Sequence, residues 1–188
     1  MNLRGVFERA GRAVLNLPDR MLHKRRHLAV SRVLSQMNRP ASILVVCHGN
    51  ICRSPYLQAV LERLLPEVRV TSAGFAAPGR PVPPFSLIVG AQRGLDLSKF
   101  RSRPLVPASV RDVDLVIVMD ARQADYMTNH LGVARWRIVV AGDLDPRPGA
   151  TRAIQDPWKQ PIEAYLTSFD RLDRVAAALV KYFSRPRR

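Results

Sequence analysis

The chain has 188 residues, of which 47% are hydrophobic, and its 30 Lys and Arg against 15 Asp and Glu give a formal net charge of +15. That length suits one ordinary domain with a modest extension, and the apolar content is enough for a real core. Two cysteines inside one short segment make no disulfide framework. No secretory signal is recognisable, and the longest apolar run, residues 175–180, is far too short for a membrane span, so a reducing, cytoplasmic setting is expected.

Residues 1–40 stand apart, with nine basic groups against Glu8 and Asp19. Leu3, Val6, Phe7, Ala10, Val14 and Leu17 fall near helical spacing, with Arg4, Arg9 and Arg12 between them. Pro18-Asp19 is expected to end that helix, and a second basic helix is expected over residues 21–37. Three readings stay open for this extension: an appendage packed on the domain, a translation start at Met37, or a contact with an anionic membrane or a partner. The remaining positive charge is spread along the chain. No aromatic-basic interleaving, helix-turn-helix pattern or zinc spacing accompanies it, so no nucleic-acid partner is expected.

From residue 41 to 188 strands and helices alternate. Residues 42–46 read as a first strand and residues 55–65 as a helix with Leu57, Val60, Leu61, Leu64 and Leu65 on its apolar side. A second strand is expected over residues 68–72, and a helix from near Pro83-Pro84 to about Gly94. The wholly apolar residues 115–119 suit a third strand inside a parallel sheet. A helix over residues 121–131, a fourth strand over residues 137–140 and a long closing helix over residues 162–183 follow. The order implies an α/β fold: a single open parallel four-stranded sheet with helices on both faces, and ligands at the strand carboxyl ends. Cys47 and Asp120 both fall at such ends.

The most informative segment is Val46-Cys47-His48-Gly49-Asn50-Ile51-Cys52-Arg53-Ser54-Pro55, between the first strand and its helix. It sets a thiol at the start of a tight loop and a guanidinium at its end, with loop N–H groups and a helix N-terminus between them. The planar fork of Arg53 can grip two oxygens of a phosphate. Cys47 lies in the resulting positive field, which favours the nucleophilic thiolate. Gly49 permits the close turn, and Asn50 tolerates positive φ. Ser54 stands where a helix cap belongs and Pro55 where a first helical residue belongs. Cys52, five positions after Cys47, makes the loop a candidate redox switch. A sulfenic acid on Cys47 would be captured by Cys52 as a disulfide, unless Cys52 merely packs as a small buried hydrophobe.

This run resembles the active-site signature of the bacterial low-molecular-weight protein-tyrosine phosphatases. The resemblance continues through Thr71-Ser72-Ala73-Gly74, Gly94-Leu95-Asp96-Leu97-Ser98, Asp114-Leu115-Val116-Ile117-Val118-Met119-Asp120 and Ile154-Gln155-Asp156-Pro157-Trp158. It implies that Cys47 attacks phosphorus, that His48, Gly49, Asn50, Ile51, Cys52 and Arg53 bind the phosphate, and that Asp156 is the general acid and then base. Asp145-Pro146 is a second Asp-Pro pair, but only Asp156-Pro157 is followed by an aromatic residue. Asn50, Ser54, Ser72 and Asp120 are expected to support the loop, Asp120 alternatively capping the next helix. His48 and Trp158 are expected to line the substrate pocket. No cofactor or metal is implied, and the expected partners are phosphotyrosine proteins, among them a bacterial tyrosine kinase. An arsenate reductase of the same fold would need further cysteines, and none follows Cys52. A non-catalytic phosphotyrosine-binding regulator would be expected to lose Cys47, Arg53 or Asp156.

Overall fold

The computed structural model describes residues 17–147 and 149–183. The first elements are α1 (Leu17–Gln36), β1 (Ser42–Cys47), α2 (Arg53–Leu64), β2 (Arg69–Gly74) and α3 (Pro84–Gln92). They are followed by β3 (Leu115–Val118), α4 (Ala121–Leu131), β4 (Ile138–Val140), α5 (Ala141–Leu144) and α6 (Ile162–Phe183). The strands form one sheet in the order β2-β1-β3-β4, and every pairing is parallel. This is the open α/β sheet that the alternation of strands and helices implies.

β1 shows why the sheet needs cover on both faces. Its six residues are all buried, and they alternate between two cores. Ile43, Val45 and Cys47 join Tyr56, Leu57 and Leu61 of α2 and Phe169, Leu172 and Ala176 of α6. Leu44 and Val46 join Val116 and Val118 of β3 and Ala124 and Met127 of α4. The ring of Tyr56 stacks on Phe169 with centroids 3.8 Å apart, and its hydroxyl donates to Asp173 Oδ1 at 2.6 Å.

Several boundaries differ from expectation. α2 opens at Arg53, so Ser54 and Pro55 lie inside its first turn and Cys52 holds the cap position with no side-chain bond. The loop backbone curls straight into the helix, and the Ser54 hydroxyl is engaged elsewhere. β2 runs on to Gly74, because Gly74 pairs with Cys47 at the end of β1. α3 stops at Gln92, two residues ahead of Gly94, whose φ is 71°. Arg137 lies in a short 3-10 turn ahead of β4. α4 and α6 keep their expected limits, α4 ending on Gly132 with φ of 64°.

The second basic helix expected in the extension is present as α1. Pro18 and Asp19 lie in its first turn, which has no use for the N–H that proline lacks. The apolar-periodic segment ahead of Leu17 lies outside the described residues. α1 packs on α5 and α6: Leu34 is 1% exposed, and the Tyr182 hydroxyl donates to Ser31 Oγ at 2.6 Å. Among the described residues no helix is long and apolar enough to cross a membrane.

Candidate active site

β1 delivers Cys47 to the carboxyl edge of the sheet, and the following loop turns back over it. Asn50 holds the turn. Its φ is 49°, its side chain is fully buried, and each of its polar atoms is used. Nδ2 donates to Ser54 Oγ and to Ser72 Oγ, each at 2.8 Å, while Oδ1 accepts from the Arg103 amide at 2.7 Å. Ser72 passes its own proton to Gln58 Oε1 at 2.7 Å. Ser54 Oγ, already accepting from Asn50, has its proton free for Cys47 Sγ, 3.0 Å away. Ser54 and Ser72 therefore support the loop through Asn50.

Gly74 fits the same design. A Cβ there would stand 2.8 Å from both the Asn50 nitrogen and the His48 oxygen, so only glycine lets β2 lie against the loop. The His48 carbonyl is drawn outward, accepting from the amides of Phe75 at 2.8 Å and Ala76 at 3.2 Å. Among the described residues, the amides of residues 48–52 donate to no protein acceptor. A curled run of free N–H groups leading into a helix N-terminus is an anion cradle.

Arg53 closes the cradle. Its side chain is 5% exposed. Nη1 donates to the Ile154 carbonyl at 2.9 Å, Nη2 is bonded to Asp156 Oδ2, and the buried Nε has no partner. Asp156 thus stands across from the loop, with Oδ1 accepting from the Trp158 amide at 3.2 Å. The second Asp-Pro pair is structural. Asp145 is fully buried, and its carboxylate takes bonds from Arg174 at 2.7 Å, Arg171 at 3.2 Å and the Arg147 amide at 3.1 Å. Burial alone would raise its pKa, but Arg174, the Arg147 amide and Arg171 outweigh that and hold it below the ordinary carboxylate value.

His48, Arg53 and Asp156 open on a cleft of about 560 Å³, walled by Phe75, Tyr126, Asp120, Arg122 and Gln155. Phe75 and Tyr126 meet edge to face with centroids 5.0 Å apart, and each is more than a third exposed. Neither is evident from the sequence. The available signals are an aromatic residue directly after the strand-ending Gly74 and another on the first turns of the helix that Asp120 starts.

The placement expected for Trp158 differs, and of the two roles open for Asp120 the helix cap is the one seen. Trp158 does not share this wall with His48. It lines a neighbouring groove with Pro83, Pro84, Phe85 and Tyr165, and the Arg80 guanidinium lies 5.3 Å over its ring. The Pro157 turn swings the indole past the carboxylate it follows. Asp120 makes no direct bond to the loop. Its Oδ1 caps α4 by accepting from the Gln123 amide at 2.8 Å, and the Gln123 side chain accepts from the Met119 amide at 2.9 Å. Ile51 and Cys52 face inward, 3% and 2% exposed, so they contribute backbone to the cradle and side chains to the core. Burial pushes the Cys52 thiol up to about 12, and both cysteines are free.

A thiol on an anion cradle, a buried guanidinium and a carboxylate across an aromatic-walled cleft are parts for handling a phosphate monoester. The comparisons point the same way. The chain is similar to the low molecular weight protein-tyrosine-phosphatase Wzb of Escherichia coli, with 32% identity over 136 residues, 72% of this chain and 90% of that protein. It is similar in structure to the Erwinia amylovora tyrosine phosphatase AmsI, with a TM-score of 0.73 and 31% identity, covering 80% of this chain and 97% of that one. It is also similar to the YwlE arginine phosphatase of Geobacillus stearothermophilus, with a TM-score of 0.68 and 31% identity over 76% of this chain and 92% of that one. The family model for low molecular weight phosphotyrosine protein phosphatases matches residues 42–188, from the first residue of β1 through loop, cleft and closing helix, and the chain belongs to that family.

Proposed function

We propose that the protein hydrolyses phosphotyrosine in proteins through a phosphocysteine intermediate. The observation that carries this reading is the cradle itself: free amides over residues 48–52, the unpartnered Arg53 Nε, and Cys47 Sγ beneath them with a hydroxyl donor. The phosphate dianion binds these donors, and Arg53 turns its fork from Asp156 to two phosphate oxygens. Cys47 Sγ attacks phosphorus in line. The S–P bond forms as the bond to the phenolic oxygen breaks, and Asp156 gives that oxygen its proton. The Asp156 carboxylate then takes a proton from water as the water oxygen attacks phosphorus. The S–P bond breaks, returning the thiolate and inorganic phosphate.

The Phe75–Tyr126 wall supports an aryl ester over an alkyl one, since a phenyl ring buries apolar area there and can reach the thiolate from the mouth. The preference for phosphotyrosine over phosphoarginine rests on that aromatic wall alone, because Asp120 and Gln155 on the same cleft offer acceptors that a guanidinium could use. Phosphotyrosine segments of proteins, including a bacterial tyrosine kinase, are the corresponding substrates. Turnover of phosphotyrosine and phosphoarginine peptides by the full chain tests this, with Cys47→Ser as control. The reading expects phosphotyrosine to be preferred by at least about tenfold, no loss of activity with a chelator, and no turnover by Cys47→Ser. Preference for phosphoarginine, or activity surviving in Cys47→Ser, would overturn it.

A further inference from the structure

Helix α1 precedes the matched region, residues 42–188, yet it touches the segment that carries Asp156. Asp19, in the first turn of α1, accepts from the Arg152 amide with Oδ2 at 3.2 Å and from Arg26 Nη1 with Oδ1 at 2.7 Å. Two turns on, His27 donates its Nδ1–H to the Asp143 carbonyl at 2.9 Å. The carboxylate of Asp143, 2% exposed, holds the Arg152 side chain, accepting from Nε at 2.9 Å and Nη2 at 2.7 Å. The Arg152 backbone lies directly on Gly142, where a Cβ would come within 1.8 Å of the Arg152 oxygen. Residue 152 is thus gripped by amide, carbonyl contact and guanidinium together. Two residues later Ile154 gives its amide to the Met119 carbonyl at 2.9 Å and accepts from Arg53, and two residues after that comes Asp156.

We propose that Asp19 is a positioning residue for the general acid: α1 clamps Arg152 and thereby fixes the span 152–156 that sets Asp156 against the leaving oxygen. The proposal rests on the reading of Asp156 given above. It makes α1 a working part of the site. A carboxylate that must deliver a proton within hydrogen-bond reach loses efficiency when its segment drifts, because a shift of about 1 Å can cost about a hundredfold in rate.

The test uses the full chain as wild type, Asp19→Ala and Asp19→Asn, with phenyl phosphate as a substrate that needs protonation and 2,4-dinitrophenyl phosphate as one that does not. Asp19→Ala should lower kcat/KM, which reports phosphoryl transfer to Cys47 and not the later hydrolysis common to both esters, on the order of tenfold for phenyl phosphate and leave that of the dinitrophenyl ester within about twofold. Asp19→Asn, which keeps an oxygen for the Arg152 amide, should recover most of the loss. Amide hydrogen exchange supplies a readout independent of turnover: Asp19→Ala should speed exchange over residues 149–158 while leaving β1 and β3 unchanged. Equal losses on both substrates, or no loss on either, would overturn the proposal, as would unchanged exchange over residues 149–158. A wild type inert on both esters would instead strike at the phosphatase reading and leave the exchange measurement to decide the role of Asp19.

Discussion

Asn50 does with a side chain what glycine would do with freedom: it keeps a positive φ by spending three hydrogen bonds on Ser54, Ser72 and the Arg103 amide. Removing it leaves buried partners unsatisfied. Asn50→Ala should cost about 1–3 kcal/mol in unfolding free energy by denaturant titration. Turnover should fall further than stability, because the loop loses its curl. For the acid, Asp156→Asn should lower kcat/KM for phosphotyrosine about 10²- to 10⁴-fold, as a general acid of this kind contributes, and spare kcat/KM for dinitrophenyl phosphate, whose leaving group needs no proton. A larger effect from Asp145→Asn on turnover of the folded protein would reverse the assignment. That Arg53 and Asp156 would face one another beside the loop of Cys47 was legible through the spacing of the loop and the resemblance to a known family. The side on which Trp158 lies was not, since adjacency to Asp156 says nothing about how the Pro157 turn aims a ring. Phe75 and Tyr126 were missed because a single exposed aromatic carries no periodic signal.

At the scale of elements, the β1–loop–α2 unit depends on how closely β2 can approach. Gly74→Ala would drive a methyl into Asn50 and His48 backbone, and the loop must yield, since β2 is paired along β1. The expected result is a loss of about 1–3 kcal/mol in stability and on the order of a hundredfold in kcat, read by thermal melting and steady-state kinetics. The types and chain order of the strands and the longer helices could be read from periodicity, because short apolar runs alternate with runs of helical spacing. Boundaries at the loop could not. Ser54 looks like a cap by residue type, but Asn50 and Cys47 claim its hydroxyl, and α2 starts two residues earlier than expected, on Arg53. α5, at four residues, is too short to show a helical period.

For the molecule as a whole, the buried Asp145 cluster ties the segment after β4 to α6 through Arg171 and Arg174. The folded pKa of Asp145 lies below its unfolded value near 3.8. Its stabilisation is therefore fully present above that value and is lost as pH falls through the lower folded one. Thermal midpoints should hold steady down to about pH 4 and drop below it, and Asp145→Asn should reduce the plateau by about 3–5 kcal/mol and flatten the acid slope. That α1 packs on the domain was among the readings open in the sequence, but its seat was not legible, because the face it turns inward mixes His23, Arg26 and His27 with Val30 and Leu34, and its anchors are polar. Those anchors have a consequence in time. α1 bonds to residues 116, 133 and 151 positions downstream. On the ribosome it emerges ahead of β1, yet its seat on α5 and α6 exists only after residues 141–183 have been made. A helix translated before the sheet thus docks after it, so a nascent chain stalled before α6 carries α1 unseated.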